Sequence, residues 1–297
     1  NYQTLDSASD YFFLPLNHEF ESWLLVGNHD TYYKNTNKVN SLSLLLNQYE
    51  NIHQVHHACE IGFDGVSLLM VPWISPENQV EVLNDMNTSR SQICLGHFEI
   101  SGFEMHRGTV CDTGLDSSTF SKFDMVISGH FHTKSKHGNI TYTGTPYQMT
   151  WADWEDLKGF HILDTATREL EFIENPYQMF KKIWYDDLNK TMADVISIDF
   201  EEYRECIVKV IISNKNNPYW YDLFIERLEK VNPLDIQVVE DHLNLNLEDD
   251  EDIINEAEDT LTILNKFVDQ LDVEADKKKL ENLLRNLYNE ALSMETM

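Results

Sequence analysis

Three short apolar runs in this sequence each end in a glycine that is followed by side chains able to bind metals or protons. They are LLVGNHD at 24–30, ICLGH at 93–97 and MVISGHFH at 125–132. An apolar run of this length is typical of a buried strand, and the glycine permits a tight turn or a close approach of the backbone. Because α/β folds build their sites at the carboxyl ends of strands, the three runs predict one shared site.

The first half of the chain alternates predicted strands with segments of helical spacing, which favours an α/β fold with strands buried on both faces. The predicted strands lie at 23–26, 66–71, 93–95 and 125–127. The predicted helices lie at 41–49 and 79–87. Between 139 and 173, short strands separated by turns predict a β-meander that closes the first domain. No apolar run is long enough for a transmembrane helix.

The sequence predicts three regions, and the first ends at the Asn175-Pro176 pair. A strand–helix–strand pattern follows, with Pro218 near the start of its helix, and it predicts a small α+β domain. The three predicted regions are a core domain, this small domain and a tail, at 1–176, 177–243 and 244–297.

The tail begins with an acidic run and ends in two apolar stripes of helical spacing. The acidic run at 248–252 is typical of a solvated linker, because like charges repel; a calcium loop is the alternative, although the EF-hand glycine is absent. The stripes, which include Leu264 and Leu284, predict a helical hairpin. The apolar face of this hairpin packs either on its own domain or into a groove on partner helices.

Composition limits the compartment and the partners of the chain. The four cysteines are scattered without a C-x-x-C pair, which favours buried thiols in a reducing compartment, and we expect a cytoplasmic protein. The formal net charge of −29 argues against indiscriminate binding to nucleic acid, because phosphate contacts normally need a basic face. The sequence begins without Met and without a signal peptide, so we expect it to continue a longer chain.

The residues that follow the three glycines form a set of metal donors. On an extended segment, His130 and His132 face the same side, while Phe131 between them points into apolar packing. Imidazole and amide donors suit Mn, Fe or Zn better than Mg or Ca alone. We therefore predict Asn28, His97, His130 and His132 as metal ligands. Two ions about 3.5–4 Å apart are suited to clamping the attacking and leaving oxygens of a phosphoester.

His29 and Asp30 are the predicted catalytic residues. His29 lies beside a predicted ligand and is expected to protonate a leaving group or to stabilise the charge of the transition state. Asp30 is expected to hold the imidazole of His29.

A structural interpretation of each histidine competes with the functional one. Taken alone, His97 is more simply a buried, hydrogen-bonded histidine, and only the set of three runs favours a ligand. The other histidines lack this context, and we interpret them as surface or structural residues: His18, His53, His56, His57, His106, His137, His161 and His242.

The motifs G-N-H-D, G-H and G-H-x-H, in this order and spacing, resemble those of the calcineurin-like metallophosphoesterase superfamily. The more specific resemblance is to its DNA-repair branch, the nuclease subunits of SbcCD-type complexes and the recombination endonuclease subunits of T-even-like phages. The resemblance extends over nearly the whole chain and rests on VGNHD, GHFEISGF, SGHFHT and YTGTPYQMTWADWEDLKGFHILDT.

The resemblance implies a fold and a set of roles. The fold is a four-layer αββα metallophosphoesterase sandwich, here without its N-terminal part, with a small α+β capping domain and a C-terminal helical hairpin. Asn28, His97 and His130 would bind one ion, His132 the other, and His29 would act at the scissile phosphate. The implied ions are two of manganese, with magnesium as the alternative.

Two further motifs of that family, D-x-H and G-D-x-x-D, precede its G-N-H-D motif and supply further metal ligands. Neither occurs in these 297 residues. We therefore expect the chain as given to be inactive by itself and to bind metal weakly.

The implied activity is 3′→5′ exonuclease and endonuclease action on DNA. The implied partners are DNA and an ABC-type coiled-coil ATPase subunit that is SbcC-like, with a homodimer of the nuclease inside a heterotetramer and no membrane contact. Two alternatives stay open. One is a phosphoesterase that acts on nucleotides or phosphoproteins, and the other is a non-catalytic adaptor that scaffolds the ATPase.

Overall fold

The structure of this chain is a computed structural model that describes residues 2–106 and 109–240 and the single positions Val268, Lys277 and Lys279. The chain divides into the units Asn1–Glu240 and Asp241–Met297. The three single positions are helical, and the predicted linker and hairpin otherwise lie outside the described residues. The domain boundaries after 176 and 243 stay predictions.

Strands and helices alternate along the described residues, which confirms the α/β class. The strands are β1 (Ser22–Leu25), β2 (Ile52–Val55), β3 (Cys59–Phe63), β4 (Val66–Val71), β5 (Ile93–His97), β6 (Glu104–His106), β7 (Thr109–Val110), β8 (Met125–Gly129), β9 (Ser135–His137), β10 (Ile140–Tyr142), β11 (Gly159–Leu163), β12 (Leu170–Glu174), β13 (Phe180–Asp186), β14 (Ile207–Asn214) and β15 (Asp235–Glu240). The α-helices are α1 (Tyr2–Ala8), α2 (Leu14–Glu19), α3 (Ser41–Leu45), α4 (Gln79–Thr88), α5 (Met192–Ser197) and α6 (Pro218–Lys230). Among the described helices, none has the length and apolar character needed to cross a bilayer.

A six-stranded sheet with the order β3-β4-β5-β8-β10-β9 forms the centre of the first half of the chain. Its four inner strands are parallel, and the edge strands β3 and β9 run antiparallel to their neighbours. The pairing of β5 with β8 places His97 opposite Gly129. His97 and the residues after Gly129 therefore leave the sheet side by side, at the edge formed by the carboxyl ends of parallel strands.

The first strand, β1, reaches the same edge from a separate sheet, in which it pairs in parallel with β2. Directly after β1, the Val26 N–H donates to the carbonyl of Val55 at 3.3 Å, and the Val26 carbonyl accepts from the Trp73 N–H at 2.7 Å. Trp73 follows β4, and β4 is the neighbour of β5. These hydrogen bonds hold the start of the G-N-H-D segment near the carboxyl end of β5.

The predicted meander between 139 and 173 is wrong in its strand pairing. Its strands occur as β10, β11 and β12, but β10 lies in the six-stranded sheet, parallel to β8 and antiparallel to β9. Only β11 and β12 pair with each other. All three residues of β10 are buried, as expected of a strand inside a sheet that is covered on both faces.

A second, three-stranded parallel sheet is formed by β13, β14 and β15. Helix α6 connects β14 to β15, and it begins as predicted: the Asn217 side chain caps its first N–H groups, and Pro218 occupies the first turn. Phe224 and Leu228 of α6 are fully buried against the sheet. The predicted strand–helix–strand pattern is therefore present, with β13 as an additional parallel strand.

The glycine at position 96 is required by packing within β5, and its φ lies outside the left-handed region. The ring of Phe98 lies over it, so that a Cβ on residue 96 would be 2.2 Å from that ring. Phe98 is buried and packs edge to face on Phe120. Its main chain is also fixed, because its N–H donates to the Ser128 hydroxyl and its carbonyl accepts from the Tyr142 hydroxyl.

We therefore expect Gly96→Ala to lower the free energy of unfolding by about 1–3 kcal/mol, the usual cost of overpacking a core. Gly62→Ala is the matched control, because Gly62 lies in β3 of the same sheet and a Cβ there would meet nothing within 4 Å. The stability of both variants is measured by urea denaturation, with unfolding monitored by circular dichroism. Equal midpoints for the two variants would contradict this account of Gly96.

Candidate active site

The G-N-H-D segment folds into a turn that is closed by Asp30. The Asp30 carboxylate accepts hydrogen bonds from the Gly27 N–H at 2.8 Å and from the Ser41 hydroxyl at 3.1 Å. The Asn28 carbonyl accepts from the Thr31 hydroxyl at 3.0 Å. In this turn Asn28 is buried and His29 is exposed.

The role predicted for Asp30 differs from what this turn shows. Within the described residues, the hydrogen bonds of the Asp30 carboxylate go to Gly27 and Ser41, and none goes to His29. The physical reason is the tight turn, which brings a carboxylate three residues after Gly27 within hydrogen-bonding distance of the Gly27 N–H. Asp30 thus orients the turn that carries Asn28 and His29.

Three of the four predicted ligands are in direct contact. The Nε2 atom of His97 lies 2.8 Å from Oδ1 of Asn28 and 3.2 Å from Nδ1 of His130. Glycines on both neighbouring segments leave room for the His97 imidazole: a Cβ at Gly27 would lie 3.1 Å from its Cε1, and a Cβ at Gly129 would lie 3.3 Å from its Nδ1. Close approach is therefore the reason for these glycines, as the sequence predicted.

The backbone at His130 corrects the predicted extended segment. Its φ is +92°, in the left-handed region that non-glycine residues rarely adopt. The reversal turns the imidazole back toward His97, while Phe131 enters the core and stacks on Tyr142 with ring centroids 4.5 Å apart. The apolar packing predicted for Phe131 is confirmed. Such strain costs about 1–3 kcal/mol and is concentrated at functional sites.

Burial keeps the imidazoles of this contact neutral. It lowers the pKa of His97 to about 3, and the nearby His130 and His29 lower it further. Burial also lowers the pKa of His130, although the carboxylate of Glu99, 3.9 Å from its Nε2, acts in the opposite direction. Neutral imidazole is the form that binds a metal ion.

His132, the fourth predicted ligand, faces a buried carboxylate. Its imidazole contributes, after burial and the neighbouring His29, to the lowered pKa of His130. Its Nδ1 lies 3.6 Å from Oδ1 of Asp153. Burial raises the pKa of the Asp153 carboxyl, but the imidazole of His132 and the ammonium of Lys158 outweigh burial and hold it well below its usual range.

Sequence reasoning missed Glu99, Asp153 and Lys158. Glu99 stands two residues after His97, so its proximity to the site had a local signal in the alternation of side chains along an extended segment. Asp153 and Lys158 are both almost fully buried, although their residue types are typical of the surface. Only the fold brings these two side chains to His132.

Asn28, His97 and His130 together offer one amide oxygen and two imidazole nitrogens, with Nε2 of His97 in contact with a donor atom of each of the other two. Within the described part of the chain, no group of three or more His, Cys, Asp and Glu side chains is arranged to hold a metal ion. The candidate donor set therefore depends on the Asn28 oxygen in addition to the imidazoles. Chemically, the site can bind a cation at its buried side and can present the exposed His29 to a substrate.

Comparison with known proteins assigns the chain to a family, although no protein-family model matches it. It is 31% identical over 269 residues to exonuclease subunit 1 of Enterobacteria phage T4, a match that covers 90% of this chain and 76% of that protein. It is also 25% identical over 152 residues to the SbcD component of the SbcCD nuclease of Staphylococcus epidermidis, covering 48% of this chain and 37% of that protein. The chain belongs to the family of SbcD-like nuclease subunits.

Proposed function

We propose that this protein is the nuclease subunit of a DNA recombination or repair complex and that it hydrolyses DNA phosphodiesters at a two-metal centre. The observation that carries the proposal is the contact of Asn28, His97 and His130, three donors that come from three separate strand ends. Membership of a family of nuclease subunits supports the same reaction. We place this chemistry on an αββα metallophosphoesterase sandwich, with β13–β15 and α6 as a capping domain.

The donor geometry fits a divalent ion. Ligands bound at about 2.1 Å in octahedral geometry lie about 3.0 Å apart, and the spacings around His97 Nε2 are 2.8 and 3.2 Å. Mixed imidazole and amide donors suit Mn, Fe or Zn better than Mg alone. The resemblance to metallophosphoesterases favours manganese, with magnesium as the alternative. Asn28, His97 and His130 would hold one ion and His132 the other. When bound, the ions would supply positive charge to the phosphate oxygens.

The remaining roles belong to the side chains of His29 and Asp30. His29 is exposed and directly follows the buried donor Asn28, so we expect its imidazole to reach a substrate that lies over the donors. There it protonates the leaving oxygen or stabilises the charge of the transition state. Asp30 keeps His29 and Asn28 in position by closing their turn.

The charge of the protein bears on how DNA is held. A net charge of −29 opposes an extended interface with DNA phosphates. We propose that an ABC-type, SbcC-like ATPase partner supplies much of the DNA contact and that the complex is a heterotetramer built on a homodimer of this chain. The relatives are themselves named as subunits, which supports a partner.

The test compares substrates in the full-length protein with Mn²⁺. End-labelled duplex DNA, p-nitrophenyl phosphate and a phosphopeptide are incubated in parallel, with EDTA as the metal-free control. We expect nucleotides to be released from 3′ ends of the duplex, internal cleavage of DNA, and little turnover of the two small substrates. Preference for either small substrate would favour a general phosphoesterase. Turnover of none of them by folded, Mn-loaded protein would favour a non-catalytic adaptor.

A further inference from the structure

A buried ionic cluster, consisting of Asp153, Lys158 and Asp156, lies next to His132. The side chains of Asp153 and Lys158 are 1% and 2% exposed. Burying two charges costs free energy unless the pair is well hydrogen-bonded, and removing one partner of such a pair is strongly destabilising. The cluster can therefore hold in place the residues that it contacts.

Asp153 is held from several directions. One carboxylate oxygen accepts from the Met149 and Thr150 N–H groups at 2.9 and 3.0 Å. The other accepts from Lys158 at 2.7 Å and faces Nδ1 of His132 at 3.6 Å. The second distance is longer than a hydrogen bond, so this contact is electrostatic. A carboxylate at this distance favours the imidazole tautomer that carries its proton on Nδ1.

Lys158 acts on the main chain of the same histidine. Its ammonium donates to the carbonyl of His132 at 2.9 Å, to Asp153 at 2.7 Å and to Asp156 at 2.8 Å. An ammonium has three donors, and all three are used. His132 is thus constrained at its backbone by Lys158 and at its ring by Asp153.

The turn that carries Asp153 is anchored to the second sheet. The amide of Gln148 donates to the Asp153 carbonyl at 3.0 Å, and its oxygen accepts from the N–H groups of Met179 and Phe180. Trp151 packs edge to face on Phe180, with ring centroids 4.9 Å apart. Because β13 starts at Phe180, these contacts tie the turn of Asp153 to the three-stranded sheet.

We propose that Asp153 and Lys158 are positioning residues for His132, keeping its ring proton on Nδ1 and leaving Nε2 to bind the cation. This inference rests on the proposed metal role of His132. The general reason is that a metal-binding histidine usually donates its other ring N–H to a carboxylate or carbonyl, and that losing this partner weakens metal binding about 10–100-fold.

The first test is a ¹⁵N NMR measurement of the histidine rings in the metal-free, full-length protein, with the His132 signals assigned by their loss in His132→Gln. We expect a protonated Nδ1 and an unprotonated Nε2 on His132. The opposite tautomer would overturn the proposal. This result does not depend on metal binding, so it separates a failure of the positioning role from a failure of the proposed function.

The second test measures Mn²⁺ binding by calorimetry in Asp153→Asn and in the control Asp156→Asn. Both changes remove a carboxylate from Lys158, and the carboxylate of Asp153 also faces His132, at 3.6 Å. We expect Asp153→Asn to weaken one Mn²⁺ equivalent about 10–100-fold and Asp156→Asn to bind like the wild type. Wild-type binding in both variants, or equal weakening in both, would overturn the proposal. If Asp153→Asn does not fold, the tautomer measurement decides.

Discussion

His29→Ala in the full-length protein is expected to reduce DNA cleavage roughly 100- to 10,000-fold, the range that a positioned acid or base contributes, without changing the amount of bound Mn. The reason is the position of this imidazole. It is exposed, whereas Asn28 beside it is buried, and within the described residues no hydrogen bond joins it to the donors around His97. It is therefore free to act on substrate.

Cleavage of labelled duplex DNA and Mn content by atomic absorption are measured on the same preparations. His57→Ala is the matched control, because His57 is also exposed but lies in the connection between β2 and β3. The control is expected to behave like the wild type. If His29→Ala loses an equivalent of Mn, His29 is a ligand and the assigned role is wrong.

The second large effect is expected for His97→Ala, which removes the atom that touches two other donors. Its Nε2 contacts both Asn28 and His130, so its loss leaves these two without a common neighbour. Metal-based charge stabilisation is worth several kcal/mol, and each 1.36 kcal/mol is a factor of ten in rate. We expect activity to fall by a factor of about 1,000 or more, together with the loss of bound Mn.

His137→Ala controls for removing a histidine from the same sheet. His137 lies in β9 and packs on Phe103, with ring centroids 4.8 Å apart, on the strand at the sheet edge. We expect this variant to retain Mn and activity. Full Mn content in folded His97→Ala protein would show that the contact around His97 is only structural.

The strands that present the site were predictable because each is a local apolar run. The run at 66–71 became β4 with the same limits, and those at 93 and 125 became the starts of β5 and β8. Strand pairing is not a local property, and for that reason the sequence placed β10 in a meander with the strands that follow it. The neighbours of β10 are in fact β8 and β9.

The candidate site was predictable to the extent that its residues follow those strands. Asn28, His97 and His130 were found by their glycines, and the register of β5 with β8 explains why two of them meet. The left-handed backbone at His130 has no local signal, since glycine rather than histidine usually marks such a position. Asp153 and Lys158 reach His132 only through the packing of the turn at 148–158 against β13.

Anomalous diffraction at the Mn absorption edge, from crystals of the full-length protein grown with MnCl₂, tests the proposed metal centre most directly. We expect one peak whose protein ligands include Asn28, His97 and His130, the residues that touch at 2.8 and 3.2 Å, and a second peak bound by His132. Peaks confined to surface carboxylates, with the three side chains still in direct contact with one another, would contradict this expectation.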